Sequence, residues 1–239
     1  MSAWPYPRIV AHRGGGTLYP ENTLGAIRMG AALGFRGVEF DVMLAGDGTP
    51  VLIRDETVDR TTDGKGPVPG MTYAQLSTFR ISEAERIPKC EDAARLCREL
   101  DLWANVEIKP AKGHERATGE AVAKMTADLW RGAPLPPVLS SFSVEALEAA
   151  KAAAPDLPRG YLVGRIPDDW RSTMARLGCV ALHCNRKALK EDLAREIRAA
   201  GYAILCWTVN DRRQARKLLG RGASCIVTDR LDRIPPNFS

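Results

Sequence analysis

The chain has 239 residues, of which 45% are hydrophobic and 26% charged, and this length suits one large α/β domain with a sizeable core. No run approaches the roughly 18 apolar residues of a membrane span, and Met1–Arg8 has no apolar signal core, so we expect neither a secretory signal nor stable membrane association. The net charge of +5 is spread along the chain and aromatic residues make up only 6%, which argues against nucleic-acid binding but suits a small anionic substrate.

Six cysteines are present, and none of them forms a C-x-x-C pair. Cys206 and Cys225 lie within apolar runs, where a buried thiol packs as a small hydrophobe. Reduced, buried thiols are typical of cytosolic proteins, so we expect a cytoplasmic protein, and nothing in the spacing specifies a disulfide.

Short β-rich runs alternate with longer helical patterns along the whole chain. The predicted strands are Ile9–Ala11, Gly37–Val42, Ala104–Ile108, Val138–Ser140, Gly160–Val163, Cys179–His183, Ala203–Thr208 and Cys225–Thr228. The predicted helices are Asn22–Leu33, about Cys90–Leu100, Glu115–Arg131, Val144–Ala153, Asp168–Leu177, Leu189–Ala200 and Asp211–Leu219. Gly34 is predicted to end the first helix. In the last helix, Asp211 is the predicted N-cap, and Gly220 and Gly222 are predicted to end the helix.

Eight strands that are each followed by a helix or a turn predict a parallel sheet, and eight is the number that closes into a barrel. We therefore predict an α/β fold: one (β/α)8 barrel of the TIM type over residues 1–239. An open, doubly wound sheet is the main alternative. The strand number and the lack of a glycine-rich nucleotide loop after the first strand favour the barrel.

One segment, residues 45–88, interrupts the alternation. It contains a hairpin signal at Ala45–Gly48, a short predicted strand at Val51–Ile53 and a stretch rich in glycine and proline at Asp63–Gly70. We expect a small insertion after the second strand that lies over the C-terminal face of the barrel, where barrel enzymes build their active sites.

Carboxylates inside predicted strands are the most informative feature of the sequence. Because side chains alternate along a strand, Glu39 and Asp41 share one face of the second strand, and the apolar residues between them share the other. The apolar face has to pack under the helices, so both carboxylates are expected to point into the barrel. Buried like charges repel each other, and a hard cation such as Mg²⁺ or Ca²⁺ resolves that conflict.

The third strand repeats this pattern with Glu107 and Lys109 pointing inward. A single strand carboxylate is more often a satisfied ion pair with lysine or arginine. Two such motifs on adjacent strands instead favour a divalent metal site made of Glu39, Asp41 and Glu107, since clusters of oxygen ligands are typical of Mg²⁺, Ca²⁺ or Mn²⁺.

The first strand ends in His12-Arg13-Gly14, at the end of the barrel where catalytic groups project. Arginine binds phosphate oxygens in a bidentate manner, and histidine transfers protons near neutral pH, so the pair suits phosphate chemistry; a histidine that caps a turn is the structural alternative. His114 lies in a charged loop and is expected on the surface. His183 ends an apolar strand and is expected to be a satisfied residue at the edge of the core.

Six motifs follow one another along nearly the whole chain in an order that resembles the glycerophosphodiester phosphodiesterase family. They are His12-Arg13-Gly14, Pro20-Glu21-Asn22-Thr23, Glu39-Phe40-Asp41-Val42, Asp55-Glu56-Thr57-Val58-Asp59-Arg60-Thr61-Thr62, Glu107-Ile108-Lys109 and Trp207-Thr208-Val209-Asn210. None of these motifs is specific by itself, but their combination in this order is.

The resemblance implies a (β/α)8 barrel that hydrolyses deacylated phospholipids, such as glycerophosphocholine, to glycerol 3-phosphate and an alcohol. It also implies Mg²⁺ or Ca²⁺ at the three carboxylates and a catalytic role for His12. Arg13 and Lys109 match phosphate-binding positions in the family. Phe142 and Trp207 match positions that line the glycerol pocket, although ordinary core packing would also account for them.

The chain departs from the family pattern at Arg54-Asp55, where the family has a His-Asp pair whose histidine is the second catalytic one. Arginine stays protonated under working conditions, so Arg54 cannot act as a general acid or base. It can still stabilise negative charge that develops on the phosphate. We therefore expect a barrel that binds metal and substrate but turns over slowly.

Three alternatives are open at this stage. A non-catalytic phosphodiester-binding barrel would keep the metal and the anion-binding residues, and a lysophospholipid-cleaving phospholipase would use related chemistry on a lipid. The chain lacks an amphipathic or aromatic membrane-facing stretch, which disfavours the phospholipase. A sugar-phosphate isomerase on the same fold would need no three-carboxylate cluster. The sequence leaves the head group, the choice of metal and the oligomeric state open.

Overall fold

A computed structural model describes residues 4–239, so the first three residues of the Met1–Arg8 segment lie outside the described residues. Nine strands are found in the described chain. They are β1 (Ile9–Ala11), β2 (Gly37–Leu44), β3 (Pro50–Leu52), β4 (Trp103–Ile108), β5 (Val138–Ser141), β6 (Arg159–Val163), β7 (Cys179–Asn185), β8 (Ala203–Trp207) and β9 (Cys225–Thr228).

Eight of these strands are parallel and close into a barrel. The hydrogen-bonded order is β1-β9-β8-β7-β6-β5-β4-β2, and pairing of β1 with β2 through Ala11 and Val38 closes the ring. The ninth strand, β3, pairs antiparallel with the end of β2. The predicted (β/α)8 barrel is confirmed, and the open doubly wound sheet is excluded.

Within the described residues, eight helices lie between or after the strands. They are α1 (Leu24–Ala32), α2 (Tyr73–Leu76), α3 (Cys90–Glu99), α4 (Glu115–Leu129), α5 (Val144–Ala153), α6 (Trp170–Leu177), α7 (Glu191–Ala199) and α8 (Arg212–Gly220). The Asp211 side chain accepts from the Gln214 N–H and caps α8 as predicted. Gly34 follows α1 with a φ of 86°, also as predicted. Gly220 does not stop α8 but forms its last residue, and the left-handed turn comes at Gly222.

The main apolar core lies between the barrel and its helices. On β2, Val38, Phe40 and Val42 are fully buried and belong to this core. Strand alternation places Glu39 and Asp41 on the opposite, inward face. A second cluster fills the N-terminal part of the barrel with Val10, Trp103 and Val138, among other residues. This packing closes the lower barrel, so polar side chains are presented at the C-terminal end of the strands.

Residues 45–88 hold β3, α2 and a short 3-10 turn at Val68–Gly70. The predicted strand Val51–Ile53 is observed one residue earlier, at Pro50–Leu52. This segment packs around its own apolar cluster, which includes Val58, Val68 and Leu76. A capping box at Thr72 and Gln75 begins α2. The segment follows the C-terminal end of β2, which places Arg54, Asp55 and Arg60 beside the loop that follows β1.

The six cysteines are buried and unpaired, as predicted. Burial raises the pKa of the Cys97 thiol to about 12, so this residue stays a neutral thiol that packs in the core. Among residues 4–239, no helix has the length and apolar character that a membrane crossing requires.

Arg159 is the first residue of β6 and is buried. It therefore lies at the opposite end of this strand from the loop that follows its carboxyl end. Its guanidinium donates to five backbone carbonyl groups, those of Ala154, Pro155, Leu157, Leu177 and Gly178. Burial lowers the pKa of Arg159 from its usual value. The side chain therefore joins the end of α5 to the end of α6 through hydrogen bonds alone.

We expect Arg159→Met to lower the free energy of unfolding by about 2–4 kcal/mol, because several buried carbonyl groups lose their donor. Urea denaturation followed by circular dichroism measures this loss. Arg213→Met on α8, where the side chain is exposed, is the matched control and should change the stability by less than about 0.5 kcal/mol. Equal stability of the two variants would contradict the role given to Arg159.

Candidate active site

A single cavity of about 260 Å³ at the C-terminal end of the barrel contains all nine residues singled out from the sequence. They are His12, Arg13, Glu39, Asp41, Arg54, Glu107, Lys109, Phe142 and Trp207. Six others also line the cavity: Asn105, His183 and Thr208 with polar side chains, and Leu162, Leu205 and Val227 with apolar ones. Residues on β2, β4 and β8, residues just after β1, β4 and β5, and one residue of the 45–88 segment thus meet at one place.

The three predicted carboxylates form one buried cluster. Glu39 and Asp41 are each 3% exposed and Glu107 is 9% exposed. One oxygen from each lies within 4.8 Å of the others. Burial and the charge of Asp41 raise the pKa of Glu107 to about 7, and burial with the charges of Asp41 and Glu107 raises the pKa of Glu39 well above its usual value. Three carboxylates this close are under electrostatic strain that a divalent cation relieves.

Asn22 fixes the orientation of Asp41. Its side-chain N–H donates to Asp41 Oδ2 at 2.9 Å, and its side-chain oxygen accepts from the Asp41 backbone N–H at 3.0 Å. Asn22 adopts a φ of 57°, so it is not the first helical residue as predicted. Thr23 is the N-cap of α1 instead. The left-handed turn at Asn22 aims its amide at β2.

Glu39 has one oxygen occupied and one without a partner. Oε2 accepts from the Arg13 backbone N–H at 3.0 Å, whereas buried Oε1 has no hydrogen-bond partner among the described residues. A buried anionic oxygen without a donor is costly to fold, so its place beside Asp41 and Glu107 suits a cation ligand.

Two cations flank the carboxylates. The Arg13 guanidinium contacts Glu21 Oε2 at 2.8 Å and lies 3.6 Å from Asp41 Oδ2. Lys109 Nζ lies 3.2 Å from Glu107 Oε1 and 4.9 Å from the centre of the Phe142 ring. Both cations are only partly exposed, and each is held at the rim of the carboxylate cluster. They offer N–H donors to an anion that enters the cavity.

His12 is held by an aspartate that the sequence analysis did not single out. His12 Nδ1 lies 2.5 Å from Asp229 Oδ1, and Nε2 lies 3.6 Å from Glu39 Oε2. The Asn210 side chain donates to Asp229 Oδ2 and accepts from the Asp229 backbone N–H. Burial raises the pKa of Asp229, but the hydrogen bond from His12 and its charge outweigh burial and bring the pKa below its usual value. The free ring nitrogen of His12 is therefore the one that faces the carboxylates.

Arg54 lies at the end of a chain of ion pairs along the cavity mouth. Its Nη1 contacts Asp55 Oδ1 at 2.8 Å, and Arg60 Nε contacts the other oxygen of Asp55 at 2.5 Å. Arg60 also contacts Glu21, which in turn contacts Arg13. The Arg54 side chain is 41% exposed. Position 54 is thus part of the cavity wall.

Phe142 and Trp207 form an aromatic wall of the cavity. Their rings meet edge to face, with centres 5.4 Å apart. Phe142 is 42% exposed, which is unusual for a large apolar side chain that serves only the core. The wall gives one side of the cavity an apolar surface on which the carbon atoms of a small ligand can rest.

Four cavity or support residues were missed or misread from the sequence. Asn22 was placed only as a helix start and within a family motif, Asn105 and Asp229 were not considered, and His183 was expected to be satisfied at the edge of the core. In fact His183 is fully buried, and neither ring nitrogen has a partner among the described residues. Asp229 could have been found, because it directly follows the last barrel strand at its carboxyl end. Asn105 could also have been found, because strand alternation places it on the same inward face of β4 as Glu107.

The barrel, with a carboxylate cluster and flanking cations at the carboxyl ends of its strands, defines a class of phosphate-processing barrel enzymes. Residues 12–233 match the Glycerophosphoryl diester phosphodiesterase family. The chain belongs to this family and is a phosphoric diester hydrolase. The resemblance noted from the motifs is thereby confirmed, and neither the non-catalytic barrel nor the phospholipase is favoured.

Individual relatives agree with the family. A glycerophosphodiester phosphodiesterase of Caldanaerobacter subterraneus subsp. tengcongensis is 30% identical over 92% of this chain and 93% of its own length. A phosphodiesterase of Oleispira antarctica, solved in complex with the product sn-glycerol-3-phosphate, is 34% identical with a TM-score of 0.88. That match covers 94% of this chain and 93% of the other. A glycerophosphodiester phosphodiesterase of Thermotoga maritima shares the fold at 24% identity, with a TM-score of 0.76 and coverage of 95% and 96%.

Proposed function

We propose that this protein hydrolyses glycerophosphodiesters to glycerol 3-phosphate and an alcohol, with a divalent cation at Glu39, Asp41 and Glu107. We further propose that it works slowly, because Arg54 occupies the place of a second catalytic histidine. The observation that carries the proposal is the shared cavity, in which the carboxylate cluster, two anion-binding cations and His12 all meet. The Oleispira relative with bound glycerol 3-phosphate supports the product.

The size of the cavity supports a small, deacylated substrate. Its volume of about 260 Å³ lies just below the range of about 300–1,000 Å³ that is typical of sites for drug-sized ligands. A glycerol phosphate group suits such a space, whereas a fatty acyl chain would have to extend outside it. This is a further reason to rank a lysophospholipid below a glycerophosphodiester.

The carboxylate cluster suits Mg²⁺ or Ca²⁺ by its donor set, which consists of oxygen atoms alone. The unpartnered Glu39 Oε1 and the raised carboxyl pKa values are what a cation-binding cluster shows without its ion. When bound, the cation would neutralise the carboxylates and polarise phosphate oxygens. Arg13 and Lys109 would complete the anion site by donating N–H groups to the phosphate.

His12 is the proposed proton-transfer group. Because Asp229 occupies Nδ1, Nε2 remains to exchange a proton with a substrate oxygen in the cavity. Hydrolysis needs one group to take a proton from the attacking oxygen and another to give one to the departing alcohol. Arg54 can stabilise developing negative charge but cannot take part in either transfer, so one of the two steps lacks its partner.

A substrate panel tests this proposal. Purified protein is incubated with glycerophosphocholine, glycerophosphoethanolamine or lysophosphatidylcholine, each with Mg²⁺, with Ca²⁺ or with EDTA. We expect glycerol 3-phosphate from the first two substrates, with either metal but not with EDTA. Cleavage of lysophosphatidylcholine alone would instead favour the phospholipase. Calorimetric binding of glycerophosphocholine with no product over hours would favour the non-catalytic barrel.

We expect Asp229→Asn to lower kcat by about 10²–10⁴-fold with little change in KM, because the amide can hold His12 with the wrong nitrogen protonated. Steady-state kinetics with glycerophosphocholine measure kcat and KM separately for each variant. Asp232→Asn is the control, since Asp232 pairs with Arg230 in the same loop. A kcat that is equal in both variants would show that Asp229 does not position His12.

A further inference from the structure

Arg54 is the most exposed of the three arginine and lysine side chains that line the cavity. Its side chain is 41% exposed, whereas those of Lys109 and Arg13 are 27% and 20% exposed. Lys109 and Arg13 lie against the carboxylate cluster, where the phosphate of a substrate would bind. Within the described chain, Arg54 forms no ion pair with that cluster. Arg54 therefore lies nearer to solvent, at the mouth of the cavity.

The guanidinium of Arg54 is only partly engaged by the protein. Its one hydrogen bond to the described residues runs from Nη1 to Asp55 Oδ1. The other oxygen of Asp55 is taken by Arg60. A guanidinium carries five N–H groups, and its shape lets it bind one carboxylate through two parallel hydrogen bonds. Arg54 therefore keeps most of its donors for a ligand.

The charge of Arg54 is also only partly balanced. The chain of ion pairs at the cavity mouth contains three guanidiniums, those of Arg13, Arg54 and Arg60, but only two carboxylates, those of Asp55 and Glu21. The acidic residues among the described cavity lining are those of the carboxylate cluster, which the bound cation would neutralise. The mouth of the cavity is therefore suited to a second negative charge on the substrate.

The part of the substrate that can lie beside Arg54 is the departing alcohol. The cavity of about 260 Å³ suits a glycerol phosphate group, so the alcohol has to extend towards the mouth. An ammonium group there would meet a cation. The exposed Phe142 ring could attract an ammonium group through its face, but Lys109 Nζ already lies 4.9 Å from the ring centre. These charges favour an acidic head group over a basic one.

We propose that Arg54 is a specificity-determining residue that selects glycerophosphodiesters whose alcohol carries a carboxylate. This inference rests on the proposed hydrolysis and names the head group within that substrate class. The guanidinium binds the carboxylate with the N–H groups that Asp55 leaves free. Because the motif resemblance places histidine at this position, the preference belongs to this chain and does not follow from membership of the family.

Two matched pairs of glycerophosphodiesters isolate the charge of the head group. The first pair compares 3-hydroxypropanoate with 3-hydroxypropanamide, which has nearly the same shape without the charge. The second compares choline with 3,3-dimethylbutanol, in which carbon replaces the charged nitrogen. With Mg²⁺ or Ca²⁺ present, we expect wild-type kcat/KM to be about 5–50-fold higher for the carboxylate than for the amide. Choline should be about 2–5-fold worse than its neutral counterpart.

The preference should appear mainly in KM, because Arg54 holds the carboxylate equally before and during the reaction. High salt should reduce it, since the ion pair is partly exposed and therefore screened. Arg54→Met should bring both ratios close to unity. Arg54→Lys should keep part of the carboxylate preference, because lysine supplies the charge without the two parallel hydrogen bonds. Each ratio is measured within one variant, so a general change in rate cancels.

The matched control is Arg213→Met. It removes an exposed arginine from α8 and should leave both ratios at their wild-type values. Thermal melts show whether the Arg54 variants fold. The comparison of salt concentrations needs only the wild type, so it tests the inference even if a variant does not fold.

The outcomes separate the inference from the proposed function. Equal kcat/KM values for the carboxylate and the amide in the wild type would overturn the inference, leave the proposed hydrolysis intact and show that Arg54 faces only water. A carboxylate preference that is unchanged by high salt, or unchanged in folded Arg54→Met, would also overturn it. Absence of glycerol 3-phosphate from all four substrates would overturn the proposed function, and the inference with it.

Discussion

Arg54→His is expected to raise the rate of glycerophosphocholine hydrolysis by about 10²–10⁴-fold, because that is the usual contribution of a general acid or base. Position 54 lines the cavity with His12, so a histidine there can face the same substrate oxygens. Asp55 would keep its ion pair with Arg60, so the local network should survive the change. The increase should appear mainly in kcat, measured as release of glycerol 3-phosphate with saturating metal.

The matched control is Arg60→His. Arg60 belongs to the same chain of ion pairs through Asp55 and Glu21, but Arg60 is not among the residues that line the cavity. This variant should not gain activity. If Arg54→His also gains none while its fold and metal binding are intact, the account of a missing proton-transfer group is wrong.

Glu107→Gln is expected to abolish most metal-dependent activity and at the same time to stabilise the metal-free protein. Burial and the charge of Asp41 raise the pKa of Glu107 to about 7. Above that pH the buried carboxylate is ionised, and keeping it ionised inside the protein lowers the free energy of unfolding. Removing the charge should raise Tm in EDTA at pH 8 by roughly 2–8 °C, which corresponds to about 1–2 kcal/mol. Calorimetric titration with Mg²⁺ or Ca²⁺ should show weaker binding.

The sign of the pH dependence follows from the same raised pKa. A carboxyl group whose pKa is higher in the folded state favours folding while it is protonated, and that contribution is lost as the pH rises from about 4.5 through about 7. In EDTA, the Tm of the wild type should therefore fall towards pH 8 more than the Tm of Glu107→Gln. Glu120→Gln, which removes an exposed carboxylate paired with Lys124, should follow the wild type. Parallel pH profiles for wild type and Glu107→Gln would contradict the buried-charge account.

Much of the fold and of the cavity could be predicted because strand alternation is a local rule. In β2 it placed Glu39 and Asp41 inward without any knowledge of neighbouring strands, and it did the same for Glu107 in β4 and for Lys109 directly after that strand. The count of eight predicted strands led to the prediction of a closed barrel, which the strand order confirms. Helix caps were predictable where a side chain bonds its own helix, as at Asp211.

The features that were missed depend on contacts between distant parts of the chain. Asp229 meets His12 across 217 positions, and no local pattern reports that pairing. Asn22 reads as a helix start, but its bond to Asp41 holds it in a left-handed turn. His183 reads as a core residue, because the space that opens for it over Gly160 comes from a neighbouring strand.

The most direct test of the central claim is a ³¹P NMR time course of the wild-type protein with glycerophosphocholine. With Mg²⁺ or Ca²⁺, the diester signal should decline slowly while a glycerol 3-phosphate signal grows, and EDTA should stop the conversion. Asp41→Asn should show no metal-dependent conversion, since Asp41 belongs to the carboxylate cluster. Phosphocholine as the product, or conversion that is equal with EDTA, would contradict the account.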